Sequence, residues 1–267
     1  MQGLNKSLKS SATYKNLRQL DRNLRKTVKR YFLRRKLGKN TPIFIYQMGK
    51  VASSSVYHSL YKQYNGAVGA GHIVSSHHWR AELLLNWAKS GKPIKIISPV
   101  REPIGKNVSE FFELFELYTG KTFKESNFST EELMQLYFKN YPHEHPLTWF
   151  DEHIKKHFNI DVFASPFPES GVATYAAKNV SLLVFKIDIS DKMKEKAIRN
   201  FVDLPSFKLN NLNIGSKKPY HSTYQQFIDT FSATENYLAT FEKSKYFNHF
   251  YNKDEKAKIM SKWRNGK

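Results

Sequence analysis

A short apolar run, Ile43-Phe44-Ile45-Tyr46, breaks abruptly into Gln47-Met48-Gly49-Lys50-Val51-Ala52 and then into three consecutive serines, Ser53, Ser54 and Ser55. The run is β-branched and aromatic, the composition of a buried strand. After the serines, Val56, Tyr57, Leu60 and Tyr61 recur at helical spacing. The pattern predicts strand, tight loop, helix. A helix N-terminus presents unpaired N–H groups and the positive end of a dipole, and therefore attracts anions. Hydroxyls and a lysine at the same place make a candidate phosphate cradle. It is not the nucleoside-triphosphate loop, which places glycine five residues before the Gly-Lys pair and a hydroxyl directly after it. Here those positions are Phe44 and Val51. The competing reading is a serine-rich helix cap with Lys50 solvated.

Two further strand–helix units follow. Residues 66–74 end in Gly71-His72-Ile73-Val74, and Ser75 or Ser76 can cap a helix carrying Trp79, Leu83, Leu84 and Trp87 on one face. Gly91 and Pro93 stop that helix. Ile94, Ile96, Ile97 and Val100 predict a third strand ending at Arg101, and Pro103 suits the first turn of the next helix. Pro99 removes a ladder donor and predicts a bulge or early strand end near Arg101. Alternating strands and helices on short links imply an α/β fold with a parallel sheet, whose ligands sit at the carboxyl ends of the strands. Gly49–Ser55, His72 and Arg101 all fall there. Farther on, helices are expected over residues 131–138 and around Trp149, Phe150, Ile154 and Phe158, and strands over 172–175 and 180–187. Asp191 is a candidate cap for a helix through Ile198.

The chain has 267 residues, no cysteine and a formal net charge of +20. Disulfides, thiolate–metal sites and cysteine nucleophiles are therefore excluded. No apolar run approaches the ~20 residues that span a bilayer, and the N-terminus lacks a signal-peptide core. We expect a cytoplasmic protein, peripheral at the membrane at most. The charge is uneven: residues 1–40 hold 13 Lys/Arg and a single acid, Asp21. Such excess favours an anionic partner. Within residues 14–37, Leu17, Leu20, Leu24, Val28 and Phe32 step at three and four residues, an amphipathic helix with a basic opposite face. The expectation is that its apolar side packs on the domain. The alternative is docking on anionic lipid or glycan.

Arg101 and Ser109 lie eight residues apart, one at a strand end and one two turns into the following helix. They can share one anion if the helix folds back beside the strand; the alternative is an arginine bonded to loop carbonyls and a serine on a polar helix face. Together, Gly49-Lys50-Val51-Ala52-Ser53-Ser54-Ser55, Gly71-His72-Ile73, and Ile96 to Pro103 with Ser109 resemble sulfotransferases that use 3′-phosphoadenosine-5′-phosphosulfate (PAPS). The likeness is strongest to the glycan 2-O-sulfotransferase-like branch and to bacterial capsular polysaccharide sulfotransferases. The similarity covers about residues 41–118.

The resemblance implies a division of labour. Backbone N–H groups of Val51–Ser55 with the Ser53 and Ser54 hydroxyls would hold the 5′-phosphate, and Lys50 would stabilise the leaving oxygen. Arg101 and Ser109 would bind the 3′-phosphate, and His72 would take the acceptor's proton. No metal is implied. Where the branch often has a second histidine, two residues before the catalytic one, this chain has Ala70. That leaves His77 and His78 as rival bases. Gly215-Ser216-Lys217-Lys218 resembles the late basic loop that closes over the nucleotide, with a solvated turn as the alternative. His153 and His157, four apart as in a metal pair but without the glutamate of HExxH, are read as surface histidines, and His143 and His145 beside prolines as structural or acceptor-facing.

These readings converge on a three-layer α/β fold with a parallel sheet and a P-loop-like phosphate-binding strand–loop–helix. Residues 1–40 would form a basic helical extension and residues 41–267 a sulfotransferase-like domain. The expected activity is sulfuryl transfer to a carbohydrate hydroxyl, on an acidic or lipid-linked acceptor. A basic nucleic-acid- or membrane-binding protein on a nucleotide-binding-like fold is the rival. A nucleotide kinase is disfavoured by the missing magnesium ligand.

Overall fold

A computed structural model of the chain describes residues 12–72, 79–210 and 218–265. Helix α1 (Ala12–Leu37) precedes strand β1 (Ile43–Tyr46), whose four residues are all buried. Helix α2 (Ser53–Gln63), strand β2 (Val68–Gly71), helix α3 (Trp79–Lys89), strand β3 (Ile94–Val100) and helix α4 (Pro103–Glu113) follow in the order expected. The described helices beyond it are α5 (Phe115–Thr119), α6 (Thr130–Asn140) and α7 (His145–Trp149), which runs on through a wide π-helical stretch, Phe150–Lys155. Strands β4 (Val172–Ala177) and β5 (Val180–Lys186) lead to α8 (Asp191–Val202). The chain closes with α9 (His221–Thr230), α10 (Glu235–Glu242), α11 (Lys245–Phe250) and α12 (Lys253–Asn265).

The sheet runs β2-β1-β3-β5-β4. Four strands are mutually parallel, but β4 pairs antiparallel with β5, so the sheet is mixed and not wholly parallel. The cause is local. Only Lys178 and Asn179 separate the two strands, and Lys178 is left-handed (φ 52°). A two-residue link closes a hairpin, whereas a parallel return needs a crossover of a dozen residues.

Both faces of the sheet are covered, which produces the expected three layers. Phe44, Tyr46, Ile96, Leu182 and Val184 share one core with α3, α4, α6, α7 and the C-terminal helices. Ile43, Ile45, Ile97, Leu183 and Phe185 share the other with α2 and α8. Strands buried on both faces read as continuous apolar runs, which is why β1 and β5 are legible without alternation.

Pro99 neither ends β3 early nor bulges its ladder with β5, which is continuous from Ile94↔Val180 to Val100↔Lys186. Lys95 donates to Pro42 on the β1 side, and Val100 accepts from Ile187 on the β5 side. Odd positions of β3 therefore bond toward β1, whose pairing stops at Ile45↔Ile97. Proline sits where no partner remains to miss its N–H. A smaller correction concerns α8: Ser190, one residue before Asp191, is its cap, accepting from the Met193 N–H at 3.3 Å.

Helix α1 departs from expectation more sharply. Leu33 and Leu37 are buried, but Leu20, Leu24, Val28 and Phe32 are exposed. At about 100° per residue the two docking leucines project from roughly the opposite side to the predicted stripe. The helix attaches by its far end and its other face, leaving the stripe without cover.

Candidate functional site

The link from β1 to α2 is built from left-handed residues: Gly49 (φ 91°), Lys50 (φ 57°) and Ala52 (φ 55°). Backbones of this kind turn successive N–H groups toward one side and form anion-binding concavities. Ala52 caps α2 without any side-chain bond to the first-turn N–H groups. Gly49 is required twice over, since its φ is unsuited to a side chain and an added Cβ would lie 2.9 Å from Glu110 Oε1.

A cavity of about 500 Å³ opens against this loop. It is lined by Gly49, Lys50, Val51, Ala52, Ser53 and Ser54, and also by His72, Arg101 and Ser109. Residues from three separate strand ends are thus brought to one concave surface, within the size range of small-molecule sites. Ser55 is not part of the lining; it lies about 200° around α2 from Ser53. Of the late basic loop, Lys218 lines the cavity. Ser216 and Lys217 lie outside the described residues, as do His77 and His78.

Arg101 leaves the end of β3 and donates from Nη1 to the Lys50 carbonyl at 3.1 Å. Its own carbonyl accepts from the Tyr246 hydroxyl at 2.8 Å, which anchors the strand end to α11. Glu102 then caps α4, both carboxylate oxygens 2.9 Å from the Gly105 N–H, with Pro103 in the first turn as expected. That start sets the phase that brings Ser109 to the cavity.

His72 follows β2 directly and is held by Gln47. Its Nδ1 lies 2.5 Å from Gln47 Nε2 and 3.2 Å from the Gln47 carbonyl, while Gln47 Oε1 accepts from the Gly49 N–H at 2.5 Å. Trp149 Nε1 donates to the His72 carbonyl at 3.2 Å. One glutamine therefore couples the imidazole to the left-handed loop. The two Gln47 contacts select opposite tautomers: the carbonyl accepts an Nδ1–H, which leaves Nε2 basic, whereas the side-chain amide donates to a bare Nδ1.

Sequence reasoning missed the acids. Glu113, at the end of α4, accepts from Lys50 (3.4 Å), Lys218 (3.0 Å) and the Tyr220 hydroxyl (2.7 Å). Partial burial pushes its carboxyl up, but the bonds from Tyr220 and Lys218 and the charge of Lys50 outweigh this and hold it at about 2. Burial in turn lowers the Lys50 ammonium, against the pull of Glu113. Beneath the loop, the fully buried Lys106 bonds Glu110 (2.5 Å) and Tyr141 (3.1 Å). Burial raises Glu110, yet Lys106 and Tyr141 bring it net below the ordinary carboxylate value. The available signal was spacing: Lys106, Glu110 and Glu113 lie four and three apart, on the face of α4 that also carries Ser109.

His153 and His143 have interior partners. His153 Nδ1 meets the Tyr46 hydroxyl at 2.8 Å and its ring stacks on Trp149. His143 contacts Tyr237 and the Tyr137 carbonyl. Among the described residues no group of three or more His, Asp or Glu is arranged to hold a metal ion.

Chemically, the cavity is walled by the start of α2, three cations, two imidazoles (His72 and His221) and two carboxylates. Residues 123–252, just under half of the chain, match the family model NKWYS, described as "Putative capsular polysaccharide synthesis protein". The matched segment supplies Lys218, Tyr220 and Tyr224 to the cavity wall, while the loop, His72, Arg101 and Ser109 precede it. No curated protein and no solved structure matches the chain.

Proposed function

We propose that the chain is a PAPS-dependent sulfotransferase acting on a carbohydrate hydroxyl in capsular polysaccharide synthesis. The observation that carries this reading is the convergence of the Lys50–Ser54 loop, His72 and the Arg101–Ser109 pair on one cavity. A doubly phosphorylated adenosine needs an anion site at each end, and the uncapped start of α2 and the Arg101 fork are suited to those ends. The capsule-linked family of residues 123–252 supports the carbohydrate side of the reading.

In the reaction, the acceptor oxygen attacks sulfur as the bond from sulfur to the bridging phosphate oxygen breaks. His72 takes the hydroxyl proton, and Lys50 balances the charge that develops on the departing oxygen. The products are a sulfate ester, 3′,5′-ADP and a proton. Positioning and charge stabilisation supply the rate, as in phosphoryl transfer.

Calorimetric titration tests the nucleotide half. We expect micromolar binding of 3′,5′-ADP, at least tenfold tighter than 5′-AMP, with the preference lost in Arg101→Ala. Equal affinity for the two nucleotides would remove the 3′-phosphate from the account. Labelled-sulfate transfer to capsular acceptors tests the chemistry: His72→Ala should abolish transfer while nucleotide binding survives. Binding of nucleic acid with a steep salt dependence and no response to 3′,5′-ADP would favour the basic binding module instead.

A further inference from the structure

The uncovered stripe of α1 is a second feature, independent of the cavity. Leu20 and Leu24 are each 65% exposed and Phe32 is 57% exposed, with Val28 and Tyr31 also open. They lie on one side of the helix, within an arc of roughly 120°. Isolated exposed apolar residues are ordinary, but a contiguous row marks a binding surface. The helix carries ten Lys/Arg and one acid, Asp21, which is already paired with Arg25 at 2.8 Å.

Charge decides what covers the stripe. A second copy would bring the same cations against their like, on a chain already at +20. A polysaccharide would satisfy the cations but offers little hydrocarbon to the leucines. An anionic bilayer surface satisfies both, with acyl chains under the stripe and headgroups along the flanks. At the foot of the helix a groove of about 280 Å³ continues this chemistry, with Lys29, Lys36 and Arg80 around Phe32, Leu33 and Tyr61. Among the described residues no helix is long and apolar enough to cross a membrane, so contact of this kind lies in the interface plane.

We infer that α1 is an interfacial membrane-docking helix that lays Leu20, Leu24, Val28 and Phe32 into an anionic lipid surface. Among its described residues, the buried leucines that fasten it to the domain, Leu33 and Leu37, lie at its distal end. The helix thus holds the α/β body beside the bilayer without embedding it.

Vesicle flotation of the full chain tests this. Binding should be strong on phosphatidylglycerol vesicles and weak on phosphatidylcholine, and should fall as salt rises. Leu20→Glu/Leu24→Glu/Val28→Glu should cut binding to phosphatidylglycerol by at least about tenfold, with circular dichroism unchanged because glutamate is a good helix former. Lys26→Gln/Lys29→Gln should weaken it less and flatten the salt dependence. Affinity for 3′,5′-ADP should not change in either variant, which separates this test from that of the cavity. Failure to float on anionic vesicles, or undiminished flotation of the triple glutamate variant, would overturn the inference. A dimer in light scattering that the same substitutions dissolve would assign the stripe to a second copy instead.

Discussion

The Arg101 guanidinium donates to the main-chain carbonyl of Lys50 across 3.1 Å, joining the end of β3 to the left-handed loop after β1. Fifty-one residues separate the two in sequence. The contact orients one cation by means of the loop that carries another. Glu113, also in the cavity wall, accepts from the Lys50 ammonium at 3.4 Å.

Arg101→Lys should therefore cost more than a conservative change. A lysine keeps the charge but has no planar fork to serve the Lys50 carbonyl and an incoming phosphate together. We expect 3′,5′-ADP affinity to fall roughly tenfold or more, the scale of one charged hydrogen bond of about 1.5–3 kcal/mol. Thermal stability should change little. Unchanged affinity would show that Arg101 does not touch the nucleotide.

Glu113 occupies the cations an anionic ligand would use. Glu113→Gln should free Lys50 and Lys218 and raise 3′,5′-ADP affinity by a few-fold, a modest gain because the pairs are partly exposed. Its carboxyl stays ionised above about pH 2. The gain should accordingly be the same at pH 5.5 and pH 8, measured by titration calorimetry. A loss of affinity would mean that Glu113 positions Lys50 productively and does not compete.

Acid sensitivity should trace in part to His153. Burial, then the nearby His157 and His145, lower it to about 4 from an ordinary 6.5. The folded state thus favours the neutral ring. Its contribution is complete above about pH 6.5 and declines as pH falls toward 4, where the ring must charge. His153→Gln, which retains a polar partner for Tyr46, should lose less melting temperature between pH 7 and 4.5 than the parent. An identical drop would place the sensitivity elsewhere, on His143, His145 or His249, which burial also lowers.

Local signals carried much of the architecture. The apolar runs of β1, β3 and β5, the proline opening α4 and the breakers Gly91 and Pro93 announced elements that the fold contains. They were legible because a strand buried on both faces must be apolar throughout, and because proline and glycine restrict their own backbone. The candidate loop was legible for the same reason: a glycine, a lysine and serines at a strand end are local facts. The capsule-linked match over residues 123–252 agrees with the carbohydrate setting but does not bear on which residues act.

Other features depend on partners distant in sequence. Whether α1 buries its stripe was settled by Leu33 and Leu37, which fasten the helix by its other side. Pro99 is harmless because β1 has already stopped pairing at Ile97. Glu113 and Glu110 became visible at the cavity only once α4 folded back over the loop. By itself the sequence determined which segments are strands and helices and where the glycine–lysine–serine loop after β1 stands, since backbone preference and apolar patterning act over a few residues. Only the tertiary structure decided which side chains meet around that loop and which helix face is left bare, because those outcomes follow from packing between elements far apart along the chain.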